Sequence, residues 1–188
     1  MKNILLLNLG SPKSLKTKDV RDYLDQFLSD DNVIDLPKLV QQLILRCFIL
    51  PFRPAQAKEA YEQIWTKEGS PLILNTQKIA DALAHKTGWN VKIAMRYQFP
   101  SIKQAIEDFK NENIDEIELI SLYPQHAMST TLSTALEVKR VVNKYYPELK
   151  LNFVEPFYDH PDYIKALSES IKPHLKKFDK LILSYHGI

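Results

Sequence analysis

The sequence predicts an α/β fold, a parallel sheet with helices on both faces, and two observations lead there. Short apolar runs suited to buried strands recur at Asn3 to Leu9, Val91 to Met95, Ile117 to Leu122, Leu151 to Glu155 and from Leu181 onward. Between them the apolar residues fall at helical spacing, and strands alternating with helices imply a parallel sheet wound on both faces.

Each element has its own warrant. Asn3 to Leu9 is a buried strand that leaves the sheet at Gly10, Ser11 and Pro12, where Gly and Pro enforce a sharp exit. Val20, Tyr23, Leu24, Phe27 and Leu28 then form a helix face behind Thr17 as a cap. A further helix carries Ala60, Tyr61, Ile64 and Trp65 and closes at Gly69. Ser70 and Pro71 cap and open the next, which carries Ile79, Ala80, Leu83 and Ala84. Ser101 caps a helix with Ile102, Ala105, Ile106 and Phe109 inward. A hydroxyl-rich loop, Tyr123 to Thr134, follows the third strand, and helices from about Leu132 to Tyr145 and from Pro161 to about Leu175 flank the fourth.

Leu36 to Phe52 differs in kind. Its second half is apolar apart from Arg46, too continuous for a simple amphipathic helix, and Pro37, Pro51 and Pro54 bracket it. Two readings stay open: a core helix, or an exposed apolar lip that touches a greasy ligand or a membrane surface.

Global properties exclude several classes. The net charge of +2 over 188 residues, with acids and bases interspersed, gives no footprint of nucleic-acid binding. No apolar run reaches the roughly 20 residues of a membrane span. Asn8 and Gly10 interrupt the first apolar run before a signal sequence could form, so the start reads as a mature strand. Cys47, the single cysteine, can neither form an internal disulfide nor hold an iron–sulfur cluster alone, and a cytoplasmic location fits best. Only 4 glycines are present, too few for a dinucleotide fingerprint, and the chain has no phosphate loop and no serine nucleophile elbow.

In open α/β sheets ligands sit at the carboxyl ends of the strands. Those ends present Leu9 and Ser11, Arg96 and Tyr97, Tyr123 to Thr131, Glu155 and His186. An arginine suits an anionic group, aromatic and aliphatic surface suits a flat apolar body, and a histidine can bind a metal or take a proton. On these residues alone, His186 reads equally as chemistry or as a hydrogen-bonded core histidine. The segments NILLLNLGSP and KLILSYHGI also echo one another. Residues 1–178 are therefore expected to form an N-terminal α/β domain, and residues 179–188 the first strand of a truncated second domain.

Several segments carry a family resemblance: LLLNLGSP, FLSD at Phe27 to Asp30, GSP at Gly69 to Pro71, MRY at Met95 to Tyr97, YPQ and MSTT between Tyr123 and Thr131, and SYHGI at the end. In order and spacing they resemble the ferrochelatases, which insert Fe(II) into a porphyrin to make haem. The resemblance covers the whole chain. It implies two similar α/β domains around a porphyrin cleft. It implies that His186 is the catalytic and metal-binding histidine. It implies that Leu9, Arg96, Tyr97, Tyr123, Ser129 and Thr130 line the substrate site, and that Leu36 to Phe52 is a movable lip able to touch a membrane. Porphyrin and ferrous iron would be the substrates, with no further cofactor. The carboxylate partner of His186 would lie in a second domain that the sequence does not contain. His126 stands where many relatives carry an aromatic residue, and reads either as a second metal contact or, the favoured reading, as a surface substitution. Alternatives are a cobalt or nickel chelatase for a related tetrapyrrole, which would tend to use more than one histidine, and a non-catalytic porphyrin-binding module.

Overall fold

The computed structural model describes residues 1–175 and 180–184. Its centre is a four-stranded, all-parallel sheet in the order β2-β1-β3-β4, built from β1 (Asn3–Gly10), β2 (Asn90–Tyr97), β3 (Glu116–Ser121) and β4 (Lys150–Phe153). Parallel neighbours need crossover connections, and the helices supply them: α1 (Thr17–Leu28), α2 (Lys38–Ile44), α3 (Arg53–Ile64), α4 (Pro71–Thr87), α5 (Ile102–Asn111), α6 (Ser133–Tyr145) and α7 (Pro161–Leu175).

The sequence ILLL at Ile4 to Leu7 makes sense in this setting. Leu5 and Leu7 face a core formed with Ile106 and Phe109 of α5 and Val138 and Val142 of α6. Ile4 and Leu6 face the opposite way, against Ala80 of α4, with Ile93 and Met95 beside them. A central strand covered on both faces has no polar side to alternate with, so its run is continuously apolar.

Most expected elements lie where their patterns put them, with local differences. The Ser101 hydroxyl does cap α5, accepting from the Gln104 N–H at 3.2 Å. Thr17 is the first residue of α1 rather than its cap. The third helix begins at Arg53, with Pro54 in its first turn, where the missing N–H costs nothing, and it ends at Ile64, ahead of Gly69. Met128–Leu132 winds as a π turn into α6. Leu181, Ile182 and Leu183, expected as a buried strand, are exposed and belong to none of the four sheet strands. A strand needs a neighbour for its N–H and C=O groups, and no described strand offers residues 180–184 one.

Leu36 to Phe52 forms α2 followed by a π-helical turn, Leu45–Ile49. Of the two readings, the structure supports the lip: Leu39 is 85 % exposed, Leu43 60 %, Phe48 67 % and Phe52 73 %. Leu45 and Leu50 are buried and root it.

Candidate functional site

The carboxyl ends of β2, β1 and β3 share one edge of the sheet. Gly10 pairs with Tyr97 and Leu7 with Ser121, so the residues that follow these strands emerge side by side. Gly10 sets the spacing. Its φ is +107°, and a Cβ there would lie 2.0 Å from the Tyr97 carbonyl oxygen, so no other residue fits between β1 and β2.

At this edge a polar cluster is buried. Asp30, in the turn after α1, is 8 % exposed, and its Oδ2 accepts from Arg96 Nη2 at 2.5 Å, Ser133 Oγ at 2.5 Å and Tyr97 Oη at 2.9 Å. Its Oδ1 accepts from the Asn32 N–H at 2.8 Å and from Asn32 Nδ2 at 2.9 Å. Burial opposes the charge, but the hydrogen bonds from Ser133, Asn32 and Tyr97 outweigh it and hold the carboxyl at about 2. Arg96 is fixed a second time through Nε to Ser133 Oγ, at 2.7 Å.

Arg96 also lines an open hollow of about 540 Å³ whose wall includes Asp22, Asp25, Ser29, Asp30 and Arg46. Arg46, on the lip, reaches back to Asp25 at 3.2 Å. The hollow is polar, while the lip above α1 is apolar and exposed. A ligand that touched both would need an apolar body and a charged or hydrogen-bonding end.

The residues singled out by sequence fall into three groups. Leu9, Arg96, Tyr97 and Tyr123 share the sheet edge, and Ser129 and Thr130 stand half-buried in the π turn that follows. Tyr97 departs from its expected place on the pocket wall. It is 0 % exposed, its ring stands edge-on to Phe27 and Tyr23, and its hydroxyl is bonded to Asp30. It backs Arg96 instead of facing a ligand, because strand alternation puts it on the same face of β2 as the buried Ile93 and Met95. Burial pushes its phenol up to about 12. Burial also raises the Tyr123 phenol, with the neighbouring Thr134 hydroxyl offsetting part of the rise. Neither of those hydroxyls reaches a partner at hydrogen-bonding geometry among the described residues, and nor does that of Ser11. His186 lies outside the described residues.

His126 is exposed and lies apart from this cluster, on a smaller hollow of about 170 Å³ shared with Ser121, Thr131, Phe153 and Glu155. Among the described residues no three metal-ligating side chains come together. Sequence reasoning missed Asp30 and Ser133 as members of the site. Asp30 sat in the noted FLSD segment, but nothing local marked its carboxylate as buried.

Comparison with known proteins agrees with this architecture. The family model described as ferrochelatase matches residues 1–188. The ferrochelatase of Stutzerimonas stutzeri is 43 % identical over 187 residues, covering 98 % of this chain and 54 % of that protein. Those of Pseudomonas paraeruginosa and Pseudomonas savastanoi are 44 % and 42 % identical, each covering 98 % of this chain and 55 % of the relative. The chain thus spans about half the length of the curated relatives it matches. A match along its whole length, at this identity and on this fold, places the chain in the ferrochelatase family.

Proposed function

We propose that the protein to which this chain belongs inserts Fe(II) into a porphyrin to form haem, a lyase reaction, with ferrous iron and porphyrin as its substrates and no resident cofactor. Beyond family membership, one observation carries the reading. An exposed apolar lip stands beside a hollow whose wall holds Arg96, at the carboxyl edge of a parallel sheet. That pairing suits a flat apolar ring with anionic substituents.

The chemistry demands such surfaces. A planar porphyrin keeps its nitrogen lone pairs in the ring plane and holds two pyrrole protons, so metal enters only once the ring bends and the protons leave. Binding energy from the remote ring surface can supply the bend. A neutral imidazole is suited to take a pyrrole proton near working pH, or to hand over Fe(II), for which it is a borderline ligand. On sequence grounds that group is His186. Leu9, Tyr123, Ser129 and Thr130 are proposed to contact the ring or its substituents. Arg96 is proposed to meet a carboxylate, with Tyr97 holding it from behind.

The lip carries Leu39, Leu43, Phe48 and Phe52 exposed, which suits transient contact with a bilayer surface. No helix among the described residues is long and apolar enough to cross a membrane. We propose a cytoplasmic location, with peripheral attachment through the lip.

The test is anaerobic metallation by the full-length protein, followed by the absorbance change from free porphyrin to haem. The His186→Ala variant should bind porphyrin yet lose at least about 100-fold in rate. A normal rate in that variant overturns the assignment. Metallation with cobalt or nickel but not iron would favour the alternative chelatases.

A further inference from the structure

We propose that Asp30 is a positioning residue that locks the apolar lip to the sheet edge and holds Arg96 in one orientation on the wall of the hollow. The lock itself rests on the geometry of the chain; its effect on ligand binding rests on the porphyrin reading above.

Asp30 sits where three distant segments meet, and its own segment runs on into the lip. Its carboxylate reaches Arg96, 66 residues away, and Ser133, 103 residues away. Its backbone faces the lip: the Asp30 carbonyl accepts from the Val33 and Ile34 N–H groups, each at 3.0 Å, and from Gln41 Nε2 at 3.4 Å. Gln41 is the only buried residue of α2, and its Nε2 also donates to the Ile34 carbonyl at 3.3 Å. A helix of 7 residues, most of its apolar side chains in water, cannot hold its place by propensity. Its attachments must do so: Gln41 bonds the Asp30 carbonyl, Lys38 and Gln42 bond the neighbouring Ser29 and Asp31, and Arg46 reaches Asp25 of α1.

The same carboxylate decides what Arg96 can offer. Nε is bonded to Ser133 and Nη2 to Asp30, so among the described residues only Nη1 has no hydrogen-bond partner. The guanidinium therefore meets an incoming carboxylate through Nη1 and the second N–H of Nη2, held in one orientation, with part of its charge already balanced by Asp30. Such a device holds a carboxylate in register without gripping it tightly, as suits a product that must leave.

The experiment compares wild type with Asp30→Asn, which keeps the shape and removes the charge. Hydrogen exchange should rise about tenfold or more at amides between residues 36 and 52, while amides of α5 and α6 stay protected. Binding is read by fluorescence for a dicarboxylic porphyrin and for its dimethyl ester. The variant should alter the ratio of the two affinities by at least about fivefold, because only the free acid reads the orientation of Arg96.

Unchanged exchange in the lip, or a uniform rise across the whole chain, overturns the lock. An unchanged affinity ratio overturns the orientation of Arg96. Should Asp30→Asn fail to fold, Gln41→Met cuts only the lip-facing arm and must reproduce the local rise in exchange. If wild type binds neither porphyrin, the functional reading fails, whereas the exchange result still decides the lock.

Discussion

Two neighbouring regions invert the usual placement of side chains in opposite senses. At the sheet edge a carboxylate, a guanidinium and two hydroxyls are withdrawn from water. A few residues along the chain, leucines and phenylalanines are held out in it. In the first region the carboxylate is satisfied from within the chain, since five hydrogen bonds reach Asp30 from Arg96, Ser133, Tyr97 and Asn32. The second does not: apolar surface of this size is covered by nothing in the described chain. The contrast separates what holds the edge together from what the edge is for.

Removing one partner of the buried pair should have the largest effect. Arg96→Leu leaves the Asp30 carboxylate inside without its cation, and we expect a loss of about 3 kcal/mol in urea unfolding. A loss below about 1 kcal/mol would show the network to be a surface pair in practice. Gly10→Ala should come next. Its Cβ would lie 2.0 Å from the Tyr97 carbonyl in a left-handed backbone, so β1 and β2 must separate at the site itself. We expect a cost of about 2 to 3 kcal/mol, read in the same titration, together with weaker porphyrin binding.

The fold was legible in the sequence because buried parallel strands announce themselves as continuous apolar runs, and Ile4 to Leu7 did so. The residues of the site edge were legible as well, since strand ends follow from strands. The Asp30 network was not. A carboxylate joined to partners 66 and 103 residues away leaves no periodic trace. The lip was undecidable for a related reason: an apolar run states that surface will be covered, not by what. Tyr97 shows a third limit, because a shift of one residue in the alternation at the end of β2 determines whether a ring lines a pocket or backs it.

Acid should dissect the buried region more gently than mutation. Asp30 sits near 2 in the fold against an ordinary 3.8, so between those values the unfolded chain binds a proton that the native chain does not. The contribution of Asp30 is therefore complete above about pH 4 and is lost as pH falls towards 2, on the order of 1 to 2 kcal/mol after allowance for solvent screening. The stability difference between wild type and Asp30→Asn should shrink over that range. A difference that stays constant from about pH 5 to pH 2.5 would mean that the carboxylate carries no charge-dependent bonds.

The smallest stability effect belongs to the lip, and it discriminates most sharply between the two regions. Leu43 and Phe48 are 60 % and 67 % exposed, so replacing them with Gln and Ser removes little buried surface. Unfolding free energy should change by no more than about 0.5 kcal/mol. Their apolar area is nevertheless what a bilayer or a porphyrin face would cover. At roughly 25 cal/mol per Å², two such side chains can account for a loss of tenfold or more in binding. Vesicle flotation and porphyrin fluorescence on the same double variant read the two sides together. Strong loss of binding with unchanged unfolding is the expected result, whereas a stability loss above about 1 kcal/mol would return the segment to the core and dissolve the contrast with Asp30.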